Sequence, residues 1–241
     1  MIRFDNVVKR FGDRAVLGGV SFDVTDAGTT VLLGRSGSGK SVLLKHVVGL
    51  LSPDDGAVLV DDRRVADLDE DGLAELRREI GYVFQFAALF DSLTCRENLE
   101  LALRRRVADP AAIEQRIDDA LAMVRLPDVA DRYPAELSGG MRKRVGIARA
   151  VVLRPRYILW DEPTTGLDPV TTATMDEMML QVRRELGVTS LVVTHDLSSA
   201  FKIADRLVLL HEGTIRAQGT PDEMRANPDP VVRQFIEGRP E

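Results

Sequence analysis

Eight residues near the start of the chain, Gly34-Arg35-Ser36-Gly37-Ser38-Gly39-Lys40-Ser41, fit the pattern G-x-x-x-x-G-K-[ST] and constrain what can surround them. The apolar run Thr30-Val31-Leu32-Leu33 before them reads as a buried strand. Val42 to Leu50 after them reads as a helix. Strand, glycine turn and helix N-terminus is the setting in which backbone N–H groups can grip a phosphate chain. Glycine lets the main chain come close and adopt positive φ. The helix dipole adds partial positive charge, Lys40 adds a full one for the β- and γ-phosphates, and the Ser41 hydroxyl is suited to Mg²⁺. An accidental glycine-rich match is expected in roughly one chain in a hundred of this size. The expected phosphate-binding set is therefore Gly34 to Ser41, with Val42 opening the helix.

The 241 residues suffice for one large α/β domain or a core with a smaller inserted lobe. Hydrophobic residues at 44% and charged residues at 29% are ordinary for a globular protein. The net charge of -6 argues against a nucleic-acid partner, which calls for a basic excess. No apolar run is long enough to span a bilayer, and Met1 leads straight into a strand-like alternation. The single Cys95 excludes an internal disulfide and a cysteine-based metal site. A cytosolic protein is expected, linked to a membrane only through a partner.

Residues 2–33 alternate as antiparallel strands, and Phe11 lies in a polar turn where its ring could stack on an adenine or join the core. A charged helix is expected over 69–79. A second buried strand follows, Ile80 to Phe84, ending at Gln85, where a parallel sheet meets its ligands. Gln85 is a candidate ligand for Mg²⁺ or water. Residues 86–133 read as a helical lobe, with Asp109 capping and Pro110 starting a helix whose Ile113, Ile117, Leu121 and Val124 form a packing stripe. The connection Ala87 to Thr94 is unusually apolar, which suits a protein partner or local packing.

Leu137-Ser138-Gly139-Gly140-Met141-Arg142-Lys143-Arg144 opens another helix, with Ser138 as N-cap and two glycines that leave N–H groups open to an anion. Its Arg-Lys-Arg run reads mostly as a solvated face. One triphosphate cannot easily use two such cradles from one subunit. Tyr157 to Glu162 is an apolar strand closed by two carboxylates that point to opposite sides. Asp161 suits the Mg²⁺ shell, Glu162 suits polarising the attacking water, and Trp160 reads as core. Asp168 caps a helix begun by Pro169 and ended at Gly187, with Met175, Met178, Met179, Val182 and Leu186 on its buried side. The strand Ser190 to Thr194 carries His195 at its tip, where it could contact a γ-phosphate.

Taken in order, the P-loop, Gln85, Leu137-Ser138-Gly139-Gly140-Met141, Asp161-Glu162, Gly166-Leu167-Asp168 and His195 resemble an ATP-binding cassette (ABC) ATPase from end to end. The resemblance implies an α/β P-loop NTPase fold with a RecA-like parallel core, an antiparallel β subdomain and an inserted helical subdomain. The core with its β subdomain would span 1–85 and 150–220, the helical subdomain about 86–149, and a tail 221–241. It implies ATP and Mg²⁺, with Ser41, Gln85 and Asp161 as metal ligands. Phe11 becomes the adenine-stacking aromatic, Glu162 the general base and His195 the switch histidine, with Lys40 stabilising charge. Two copies would sandwich two nucleotides, the P-loop of one facing Ser138, Gly139 and Gly140 of the other, with Asp168 beside the nucleotide.

Met141-Arg142-Lys143-Arg144, the loop Ala88 to Thr94 and the segment Asn227 to Phe235 are similar to the Mla/Mkl group. That similarity implies an energy-coupling subunit that maintains membrane lipid asymmetry on the cytoplasmic face of a bacterial inner membrane. It would work with an MlaE-type permease through loop 86–94, an MCE-domain protein and a small STAS-type regulator. The other readings are an importer for amino acids or other small solutes, a non-transport cassette and a binding-only ATP switch.

Overall fold

The computed structural model describes residues 1–104 and 106–239; Arg105, Pro240 and Glu241 lie outside the described residues, so of the tail expected over 221–241 it covers 221–239. In chain order the elements are β1 (Ile2–Phe11), β2 (Arg14–Asp23), β3 (Thr29–Leu33), α1 (Lys40–Val47), β4 (Asp55–Val60), β5 (Arg63–Arg64), α2 (Glu70–Arg78) and β6 (Ile80–Val83). There follow α3 (Cys95–Leu103), α4 (Pro110–Met123), α5 (Gly139–Val151), β7 (Tyr157–Asp161), α6 (Pro169–Leu186) and β8 (Thr189–Thr194). The last are α7 (Leu197–Ile203), β9 (Arg206–His211), β10 (Thr214–Gly219), α8 (Pro221–Arg225) and α9 (Pro230–Ile236).

These elements form two compact units, one of residues 1–77 and 189–241, the other of residues 78–188. In the first unit β3 lies between β8 and β9, parallel to both. Strands flanked in this way are buried on both faces, which accounts for the unbroken apolar run of β3. Burying Val31, Leu32 and Leu33 contributes on the order of 1.5–3 kcal/mol each. β10 pairs antiparallel with β9. A separate antiparallel sheet runs β2-β1-β4-β5 and shows the alternating burial of a sheet with one wet face. Gly56 is indispensable there, because at φ 79° a Cβ would stand 2.2 Å from the Asn6 carbonyl oxygen.

The C-terminal helices are docked onto the first unit. Met224 of α8 and Val232 of α9 are buried, and the Arg225 guanidinium lies 4.6 Å from the Phe201 ring centre. Asp229 caps α9 by accepting from the N–H groups of Val231 and Val232, and it pairs with Arg216 at 2.7 Å.

The second unit pairs β6 and β7 in parallel, with α5 packed on β6 and α3, α4 and α6 packed on α5. Asp109, Ser138 and Asp168 each accept backbone N–H bonds as N-caps, and Gly187 ends α6 with φ 64°. Trp160 and the stripe Ile113, Ile117, Leu121 and Val124 are buried. Several expected boundaries move; the helix expected over 42–50, for example, runs Lys40–Val47. The strand expected over 80–84 stops at Val83, and Phe84 lies outside it, 41% exposed and stacked 4.3 Å from the Tyr82 ring. Periodicity cannot separate a buried apolar residue from an exposed one placed just beyond a strand end.

Within α1, His46 is buried, and its Nδ1–H donates to the Val42 carbonyl oxygen at 2.7 Å. Burial pushes its pKa down from 6.5; the Val42 bond and the Asp54 charge oppose that, and the Lys9 charge adds to it. Below that pH the unfolded chain takes up a proton that the folded chain resists, so stability is full above it and falls with pH toward the lower folded value. Between about pH 7.5 and about pH 5.5 the thermal midpoint of the wild type should fall further than that of His46→Leu; equal losses would remove His46 from the account.

Candidate nucleotide site

The phosphate cradle is built by close approach. β3 ends at Leu33, and Gly34 turns the chain with no room for a side chain: a Cβ would sit 2.7 Å from the Leu210 carbonyl oxygen and 2.8 Å from Ser38 Oγ. Gly39 begins α1 with φ 103°, where a Cβ would press on Leu17 and Val16 of β2. Lys40 is buried and folds back, donating from Nζ to the carbonyl oxygens of Gly34 (2.8 Å) and Arg35 (3.0 Å). The ammonium is thereby held against the carbonyl oxygens at the start of the loop. Ser38 Oγ is buried and has no hydrogen-bond partner among the described residues. A buried hydroxyl in that condition fits a ligand oxygen. No side chain caps α1.

His195 is brought beside this loop by strand register. Leu33 pairs with Thr194 in parallel, so Gly34 and His195 leave adjacent strands at the same end. His195 is exposed and shares a cavity of about 290 Å³ with Arg35, His211, Gln234 and Phe235. Phe11 ends β1, 48% exposed, with the Lys9 ammonium 5.7 Å from its ring centre. It is a solvent-facing platform and no part of the core.

The second unit holds the other sequence-derived residues. Val83 pairs with Trp160, so Gln85 and the carboxylates Asp161 and Glu162 leave β6 and β7 at the same end. The Tyr82 hydroxyl donates to Asp161 Oδ2 at 3.1 Å; burial and the Asp161 charge drive the phenol's pKa upward, which keeps it a neutral donor. Glu162 is buried, sits at φ 49°, and its Oε2 accepts from the Thr165 hydroxyl at 3.1 Å. For a residue with a side chain that backbone region costs about 1–3 kcal/mol, strain of the kind found at working sites.

Ser138 accepts from the Met141 N–H at 3.3 Å, and a Cβ on Gly139 would meet nothing within 4 Å, so the N-terminal turn of α5 is open. A Cβ on Gly140 would lie 3.2 Å from Thr171, which sets this helix start beside that of α6. Asp168 holds α6 by accepting from the N–H groups of Val170 and Thr171 and from the Thr171 hydroxyl at 2.5 Å; those bonds hold its carboxyl below the usual range. Among the described residues no group of three or more His, Cys, Asp or Glu could hold an ion alone.

Lys143 departs from its expected setting, and the apolar connection takes the exposed one of the two settings expected for it. Lys143, expected on a solvated face, is half-buried and donates to the carbonyl oxygens of Pro163 (3.1 Å) and Thr165 (2.6 Å). The apolar connection after β6 presents Phe86 (83% exposed) and Phe90 (56%) to solvent as well as Phe84. Ala87 and Ala88 take φ of 58° and 50°. Arg149 donates to both of their carbonyl oxygens at 3.1 and 2.8 Å, and a Cβ on Gly146 would approach Ala87 to 3.2 Å. Neither Lys143 in its basic run nor Arg149 among apolar residues gives a signal of such partners in sequence.

Residues 17–165 match the ABC transporter family. The chain is 38% identical over 98% of its length to the methionine import ATP-binding protein MetN of Brucella abortus (strain 2308), of which it spans 64%. It is 36% identical over 99% of its length to the probable ribonucleotide transport ATP-binding protein mkl of Mycobacterium leprae (strain TN), of which it spans 69%. Among solved structures, the ATP-binding cassette MJ0796, dimeric and bound to ADP and Pi, superposes with a TM-score of 0.83 at 33% identity, covering 92% of this chain and 99% of that one. The fold and the cradle define a P-loop ATPase domain. The chain belongs to the ABC transporter family, as an ATP-binding cassette. ATP, with Mg²⁺ as its usual partner ion, fits the buried Lys40 ammonium and the Ser38 hydroxyl that has no partner among the described residues.

Replacing Arg149 with Met removes the two bonds that hold Ala87 and Ala88. Amide exchange over residues 87–90 should quicken about tenfold while the rest of α5 is unchanged; unaltered protection would mean that the loop is held without Arg149.

Proposed function

We propose that this chain is the ATP-hydrolysing, energy-coupling subunit of a lipid transporter, peripheral on the cytoplasmic face of a bacterial membrane. Among the described residues no helix is long and apolar enough to cross a membrane, so the reading requires a separate membrane partner. The observation that carries it is the surface of Phe84, Phe86 and Phe90, three exposed rings on a loop anchored from beneath by Arg149. Aromatics on a supported loop are suited to docking a protein. The proposed occupant is an MlaE-like permease, in a complex with an MCE-domain protein and a small STAS-type regulator. Support for lipid as cargo is the run Met141-Arg142-Lys143-Arg144 and the 36% identity to mkl, whose own name specifies ribonucleotide. The identity to MetN favours a second reading, a small-solute importer.

In the proposed cycle two copies bind two ATP, with Ser138, Gly139 and Gly140 of one facing the P-loop of the other. Phe11 stacks on the adenine, and Gly34 to Val42 cradle the phosphates. Ser41, Gln85 and Asp161 would each offer an oxygen to Mg²⁺, which when bound would offset phosphate charge. Glu162 takes a proton from the attacking water, His195 and Lys40 stabilise the transferring phosphoryl group, and Asp168 keeps the neighbouring turn in place.

Glu162→Gln should lower steady-state hydrolysis by about 10²–10⁴-fold while ATP still binds; an unchanged rate would remove Glu162 as general base. The cargo is tested by tagging the chain and recovering it from its native membranes in gentle detergent. An MlaE-like permease, an MCE protein and phospholipid are expected. A permease with a solute-binding protein would replace lipid by a small solute, and nucleic acid or ribosomes without a permease would discard transport.

A further inference from the structure

We propose that Lys143 is a positioning residue for hydrolysis, acting through the turn that carries Glu162. The proposal rests on the reading of Glu162 as general base. Lys143 stands in the second turn of α5, and its ammonium spends two of its three N–H bonds on one short segment, on Pro163 O at 3.1 Å and Thr165 O at 2.6 Å. That segment begins at Glu162, whose carbonyl accepts from the Thr165 N–H at 3.3 Å to close the turn. Thr165 also holds the carboxylate, its hydroxyl donating to Glu162 Oε2 at 3.1 Å. Lys143 therefore fixes the backbone of the residue that orients the Glu162 side chain.

The turn needs such a fastening. Glu162 lies in the left-handed region at φ 49°, which a residue with a Cβ leaves unless its surroundings hold it there. A flexible apolar stem with a compact three-donor head can reach two carbonyl oxygens that diverge from one turn. Burial pulls the Lys143 pKa down, and attraction to the Glu162 charge opposes that pull, so the two groups sense one another directly. A general base held loosely loses rate steeply with small displacements, while ATP held elsewhere is not affected.

The test compares Lys143→Met, Lys143→Arg, Glu162→Gln and the double variant Lys143→Met/Glu162→Gln in the full chain. Release of labelled phosphate serves as the assay, because it follows residual rates. Lys143→Met should lower kcat about tenfold or more, with KM for ATP held within about twofold. Lys143→Arg, which keeps both charge and donors, should recover most of the rate. The double variant should be no slower than Glu162→Gln alone, since a residue acting through Glu162 has nothing left to position. A wild-type kcat in Lys143→Met, or the same fold-loss on top of Glu162→Gln, overturns the proposal and leaves Glu162 as base. A wild-type rate in Glu162→Gln overturns the base reading and this proposal together. If Lys143→Met fails to fold, Lys143→Gln, which keeps an amide donor and drops the charge, carries the same comparison.

Discussion

The structure of the first unit depends on one close approach, the turn from β3 into α1. A phosphate-binding loop needs its N–H groups facing outward, and that leaves the opposite side of the backbone pressed into the protein. At Gly34 the pressure comes from Leu210 of β9, and at Gly39 from Val16 and Leu17 of β2. β9 and β2 are therefore walls of the cradle as well as partners in a sheet. The parallel pairing of β3 with β8 adds His195 at the same end, because in-register parallel strands end together. Lys40, turned back onto two carbonyl oxygens, keeps a buried charge satisfied while its loop stays open.

In the second unit α5 has the corresponding role. Its first turn is capped by Ser138 and left open at Gly139. Lys143 fastens the turn after Glu162, Gly146 lets Ala87 come close, and Arg149 holds the carbonyl oxygens of Ala87 and Ala88. One helix thus supports both a strained carboxylate and an exposed aromatic loop. A shift of that helix would be felt at each, since its Lys143 and Arg149 donate to both segments.

Much of this was legible in the residues. Caps at Asp109, Ser138 and Asp168, the stop at Gly187, the stripe on α4 and the burial of Trp160 follow from short-range chemistry that sequence displays directly. The order of motifs likewise placed Gln85, Asp161, Glu162 and His195 at strand ends. What could not be read was where long side chains go. Lys143 looks like part of a solvated basic face, yet it ends on carbonyl oxygens of a distant segment, as does Arg149. Phe84 looks like the last residue of a buried strand and is instead exposed.

The chain by itself determined the glycine turn of the cradle, the helix caps at Asp109, Ser138 and Asp168 and the identity of the polar groups available for chemistry, because those depend on neighbours within a few residues. Only the tertiary structure decided which carbonyl oxygens receive Lys143 and Arg149, that Glu162 sits at positive φ, and that three phenylalanines face solvent. Those outcomes depend on backbone groups many residues away, whose unmet hydrogen bonds come to lie near a given side chain only when the chain has folded.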